Sequence, residues 1–99
     1  MKTTVTGKHV EITDSIGDYA KKTVARLPRY YNLITRMQVA CEKVDSHSYE
    51  VELIAHSTHA ETFVARQKND DLYACIDEVT DKMERQLTDH KEKHRDHKH

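Results

Sequence analysis

Residues 49–56 read Tyr-Glu-Val-Glu-Leu-Ile-Ala-His, and their alternation decides the fold. Tyr49, Val51, Leu53 and Ala55 fall on one side of an extended chain. Glu50, Glu52, Ile54 and His56 fall on the other. A period of two marks a strand with one buried and one solvated face. Turn-forming residues bracket it, Asp45-Ser46-His47-Ser48 before and Ser57-Thr58-His59 after. Upstream, Met37, Val39 and Cys41 alternate with Gln38, Ala40 and Glu42, which predicts a strand over residues 34–44. Downstream, Phe63 and Ala65 oppose Thr62, Val64 and Arg66, which predicts another reaching Gln67. Three strands joined by short turns form an antiparallel meander.

Outward from the meander, the pattern changes to helical. Thr3 to Lys8 is rich in β-branched residues and reads as a short first strand. Thr13 is a suitable N-cap, with Asp14 in the first turn where the helix field favours an anion. Ile16, Tyr19/Ala20, Thr23/Val24 and Leu27 make the apolar stripe of a first helix. Pro28 should end it at or very near Leu27. Gly17 weakens this helix by about 1 kcal/mol relative to Ala, with no reason visible in the sequence. At the far end, Leu72/Tyr73, Ile76, Val79, Met83 and Leu87 keep helical spacing, and Asn69 or Asp70 is expected to cap that helix. Beyond Leu87 the apolar stripe stops but the charge continues. The expected fold is α+β, in the order β-α-β-β-β-α: a four-stranded sheet with two helices on one face and solvent on the other. One domain over residues 1–94 is expected, followed by a polar, His-rich and frayed end at 95–99.

The totals restrict function. Ninety-nine residues support one modest core and no deep substrate cavity. No apolar run approaches the roughly 20 residues of a membrane span, and no signal peptide precedes the first strand. Cys41 and Cys75, with no CxxC motif, read as small core residues of a reduced, cytoplasmic protein. No glycine-rich phosphate loop or G-x-S-x-G elbow is present, so an enzyme is not expected, nor is a cofactor. His90-Lys91-Glu92-Lys93-His94 superficially resembles a zinc-protease helix, but the Glu is misplaced and no third ligand is evident, so no metal is expected.

The net charge of −1 conceals an uneven distribution. Residues 1–40 hold seven Lys/Arg against three Asp/Glu, residues 41–81 three against ten, and residues 82–99 six against four. On the first helix Lys22 and Arg26 share a face, with Arg29 following just past its end. On the last helix Lys82, Arg85, Gln86 and Lys93 fall within about 100° of arc, with Lys91 and Arg95 on neighbouring faces. Asp89 lies in the same sector and weakens the field. Cations on the outer edges of two packed helices suit the phosphates of structured RNA. An ordinary solvated helix surface is the competing reading.

Three segments resemble one family. They are Thr6-Gly7-Lys8-His9-Val10-Glu11-Ile12-Thr13, Ala25-Arg26-Leu27-Pro28-Arg29-Tyr30-Tyr31, and Asp71-Leu72-Tyr73-Ala74-Cys75-Ile76-Asp77 with Asp81 to Lys93. Together they resemble the short-form ribosome hibernation-promoting factors and the related ribosome-associated inhibitor, protein Y. The resemblance covers nearly the whole chain and implies the same β-α-β-β-β-α order. It implies a factor that binds the small ribosomal subunit and its 16S rRNA in the mRNA and tRNA channel, silencing translation under stress or in stationary phase. It assigns rRNA contact to Lys22, Arg26, Arg29, Lys82, Arg85, Lys91 and Lys93, with Gln86 added from its position on the last helix. A separate ribosome modulation factor, pairing inactive ribosomes, is the partner it implies, and the free protein is expected to be a monomer. Pro28 and Asp89 depart from the family's usual polar or basic residues.

Two alternatives remain at the level of sequence. A generic α+β interaction module would use the outward Glu42, Glu50 and Glu52 for a protein partner. A double-stranded-RNA-binding domain shares α-β-β-β-α order, but the extra first strand and the lack of a Lys-Lys start to the last helix argue against it. A further expectation concerns His90, His94, His97 and His99 beside the cationic face: their protonation should tighten RNA binding at pH 6 relative to pH 7.5.

Overall fold

Four strands and two long helices follow in the order read from the sequence. The computed structural model describes residues 1–96. The elements are β1 (Lys2–Lys8), α1 (Asp14–Val24), β2 (Ile34–Lys43), β3 (Tyr49–Ser57), β4 (Thr62–Asn69) and α2 (Leu72–Asp96). The sheet order is β1-β2-β3-β4. The meander is antiparallel, whereas β1 runs parallel to β2, with Val5 opposite Val39. The parallel pairing follows from α1, which carries the chain back to the starting end of the sheet.

The alternation predicted for β3 is realised residue by residue. Val51, Leu53 and Ala55 are fully buried, while Glu52, Ile54 and His56 lie half-exposed on the open face. The core lies between this face of the sheet and the helices. It is built from Ala20, Val24 and Leu27, from Met37, Val39 and Cys41, and from Ile76, Val79, Met83 and Leu87. Both cysteines are buried in it. Burial pushes both thiols up to about 11, which suppresses the reactive thiolate. Thr80 is a fully buried polar residue, and its hydroxyl donates to the Ile76 carbonyl at 2.7 Å.

The helix ends differ in detail from the sequence reading. Thr13 caps α1 as expected, its hydroxyl accepting from Ile16 N at 3.2 Å. The α-helix stops at Val24, and a short 3-10 turn over Leu27–Arg29 places Pro28 early in the turn, where its missing N–H removes little. The cap of α2 is Asp71, not Asn69 or Asp70. Its carboxylate accepts from Tyr73 N at 2.9 Å, while Asn69 supports it by accepting from Asp71 N. Gly7 meets a steric demand: a Cβ there would sit 2.4 Å from the Val10 carbonyl oxygen. Gly17 has no such constraint, since its Cβ would meet only Ile12 at 3.7 Å. The α2 backbone continues through Asp96, past the point where the apolar stripe ends. Residues 97–99 of the expected polar end lie outside the described residues.

Candidate nucleic-acid interface

The two helices run side by side, and their seam is more acidic than the sequence suggested. Tyr19 of α1 donates to Asp77 of α2 at 2.6 Å and packs edge-on against Tyr73. Arg26 follows just past the end of α1. Its guanidinium is paired with Asp81 and, at 3.4 Å, with Glu84. Arg26 therefore acts first as a clasp between helices, with most of its charge neutralised in place. Lys22, about 40° further round α1, stays exposed.

The cations of α2 separate into two groups. On one side, Lys82 donates to the Arg66 carbonyl and Gln86 to the Val64 carbonyl, each at 2.8 Å. These carbonyls lie along the outer edge of β4, so both side chains cap a sheet edge before they can serve a ligand. Arg85 stays exposed between them, over a groove lined by Val64, Arg66, Lys82 and Gln86. On the other side, Lys91 meets Arg29 across a depression that Tyr31 and Asn32 complete. Lys93 is exposed on the β4 side, about 20° from Lys82 in helical projection. Thus Arg29 and Lys91 converge, and Lys82, Arg85 and Gln86 share a groove. Arg26 is drawn into the helix seam. Sequence reading missed Tyr31, Asn32 and Arg66. Arg66 could have been found from its outward position in the β4 alternation, but only the fold brings Tyr31 and Asn32 to Lys91.

His90 departs from expectation. It is wedged edge-on against Tyr31 and Phe63, with ring centroids 5.3 and 5.0 Å away. Its Nε2 lies 2.8 Å from a Glu61 oxygen, and the other Glu61 oxygen accepts from the Tyr31 hydroxyl at 2.7 Å. The ring thus faces Glu61 and the Tyr31 and Phe63 rings, and it is half-buried between the end of α2 and the sheet. The side chain of His94, with His97 and His99, lies outside the described residues.

The acidic open face expected of a generic module is also altered. Register aligns Lys8, Glu42, Glu50 and Lys68 in one row across the four strands. Lys8 lies 3.9 Å from Glu42, and in the next row Arg66 lies 2.7 Å from Glu52. Each glutamate faces a cation, and the face is locally balanced. No helix among the described residues is long and apolar enough to cross a membrane.

Residues 3–95 match the family described as Sigma 54 modulation protein / S30EA ribosomal protein. The chain belongs to this family. A ribosome hibernation promoting factor of Azotobacter vinelandii is 37% identical over 93 residues, covering 94% of this chain and 85% of the relative. A protein of the same name from Escherichia coli K12 is 33% identical over 97 residues, covering 98% of this chain and all of the relative. The N-terminal domain of Thermus thermophilus Protein Y superposes with a TM-score of 0.76 at 29% identity, over 86% of this chain and 92% of that domain. A ribosomal subunit interface protein of Coxiella burnetii shares the fold with a TM-score of 0.83 over 92% of this chain and 98% of its own, at 22% identity. The S30EA family accordingly has the β-α-β-β-β-α order described above.

Proposed function

We propose that this chain is a ribosome hibernation factor that binds the small ribosomal subunit and stops translation in starved or stationary cells. Its ligand is 16S rRNA in the channel that otherwise holds mRNA and tRNA, and it acts in the cytoplasm, without catalysis. The observation that carries the reading is the convergence of Arg29 and Lys91, from elements far apart in sequence, on one exposed depression in a chain of this family. Two cations that form no ion pair among the described residues, held together by a fold, fit phosphate contact, whereas the paired glutamates of the open face offer a protein partner little.

Within this reading the contacts are made by Arg29, Lys91, Lys22, Arg85 and Lys93, with Lys82 and Gln86 shared between β4 and the RNA. Arg26 positions the two helices relative to one another. A separate modulation factor that pairs inactive ribosomes is the further partner this reading implies. Sucrose-gradient co-sedimentation with 30S subunits tests it. Wild-type protein should travel with the subunit, and an Arg29→Glu/Lys91→Glu variant should remain at the top of the gradient. Equal co-sedimentation of both would refute the site, and a wild-type protein that never leaves the top would refute the function.

A further inference from the structure

The open face of the sheet holds a second cluster of cations. In the register of the parallel β1–β2 pair, Lys2 stands directly opposite Arg36, and His56 of β3 follows Arg36 in the same row. Neighbouring strands lie about 4.8 Å apart, so these side chains emerge side by side. Lys2 and Arg36 are exposed, and neither forms an ion pair among the described residues. The half-exposed ring of His56 lies 3.0 Å from the Gln38 amide oxygen in the adjacent row.

Like charges set opposite one another weaken a sheet. At its other end the same face also sets Glu42 opposite Glu50, but there cations offset them: Lys8 stands beside Glu42, Lys68 opposite Glu50, and Arg66 pairs with Glu52 in the next row. The Lys2–Arg36 row has no such offset: His56 and Thr62 complete it, and no carboxylate stands in it. Its location supplies a reason. β1 and β2 both begin at this end of the sheet, and Arg36 lies a few residues after Arg29 and Asn32, which line the depression shared with Lys91. The positive surface at the ends of the helices thus continues round the start of the sheet onto its open face.

We infer that Lys2 and Arg36 form a second phosphate-binding surface, which grips an RNA backbone segment on the open face while the helix ends hold another. This rests on the reading of the chain as an rRNA binder and extends it from one face to two. The protein then sits between two phosphate tracks, as a wedge between RNA elements.

The test measures affinity for 30S subunits against salt concentration, for wild type and for Lys2→Gln/Arg36→Gln. Each phosphate contact contributes roughly 0.7–0.9 to the slope of log affinity against log salt. The double variant should lose about 1.5 from that slope and bind at least tenfold more weakly at low salt. Because the substitution relieves repulsion, its thermal midpoint should equal or exceed that of wild type. Arg36→Glu, which places an acid opposite Lys2, should raise the midpoint and weaken binding further. Unchanged affinity and slope in the double variant, with wild type binding normally, would overturn the second surface alone. Failure of the wild-type protein to bind at all would overturn the rRNA reading and this inference with it.

Discussion

The Gln86 side-chain amide donates to the main-chain carbonyl of Val64, and so closes a position on the outer edge of β4 that another strand could otherwise occupy. One turn earlier Lys82 treats the Arg66 carbonyl in the same way. Exposed edges invite pairing with further chains. A Lys82→Ala/Gln86→Ala variant should lose about 1–2 kcal/mol in urea unfolding, near 1 per hydrogen bond. It should also associate at concentrations where wild type stays monodisperse, as read by light scattering. A variant equally stable and equally monodisperse would mean that these contacts protect nothing.

Arg26 should behave unlike Arg29 although both are arginines in one segment. Its pairing with Asp81 and Glu84 is partly exposed, so Arg26→Ala should lower stability by only about 0.5–1 kcal/mol. Its loss also leaves Asp81 and Glu84 unneutralised on the helix surface. Restoring balance with Asp81→Asn should therefore recover much of any ribosome affinity lost in Arg26→Ala. Isothermal titration of the single and double variants with 30S subunits checks this. If Arg26 instead touches phosphate, the second substitution will recover nothing.

Tyr31 should be a late-titrating tyrosine. Burial, and then its hydrogen bond to Glu61, raise its hydroxyl to about 12. A folded-state value above the unfolded value of about 10 means that the native state holds this proton more tightly. The stabilisation is complete below pH 10 and is lost as pH rises through 12. Ultraviolet titration should show late-ionising tyrosines, to which Tyr19, raised by its hydrogen bond to Asp77, also contributes, and Tyr31→Phe should remove the latest part of that phase. The same substitution should cost about 1–2 kcal/mol at neutral pH through the lost bond to a carboxylate.

Of the two glycines, Gly7 should tolerate an added methyl far less well. The new carbon would lie 2.4 Å from the Val10 carbonyl oxygen and 2.9 Å from Ile12, so the backbone joining β1 to α1 must shift. A loss of about 1–3 kcal/mol is expected, as for other overpacked sites. Gly17→Ala meets only ordinary contact and should be stabilising by up to about 1 kcal/mol through helix propensity. Paired thermal unfolding of the two variants compares one residue type in two environments.

These contrasts show which parts of the molecule were legible in its sequence. The alternation from Tyr49 to His56 and the stripe from Leu72 to Leu87 define faces, because period is a local property. Thr13 was legible as a cap for the same reason, whereas the choice among Asn69, Asp70 and Asp71 depended on where the chain turned. The parallel pairing of β1 was not local and emerged only with α1 in place. For the site, charge could be counted but not matched to partners. Arg26 and Lys82 look equally free in the sequence, yet the fold gives one to two carboxylates and the other to a carbonyl. The meeting of Arg29 with Lys91 depends on a 3-10 turn at Pro28 that no periodicity reports.

The row of Lys8, Glu42, Glu50 and Lys68 at one end of the open face and the row of Lys2, Arg36 and His56 at the other have a consequence before any contact is made. With the helix ends adding Arg29 and Lys91 to the second row's side, and the turns at Asp45 and Asp70 placing acid beside the balanced first row, charge is separated along the strands. In the field of a polyanion such a body feels a torque as well as a pull. Its basic end should lead, because the charge separation orients the encounter while the net charge of −1 leaves little attraction for approaches from behind.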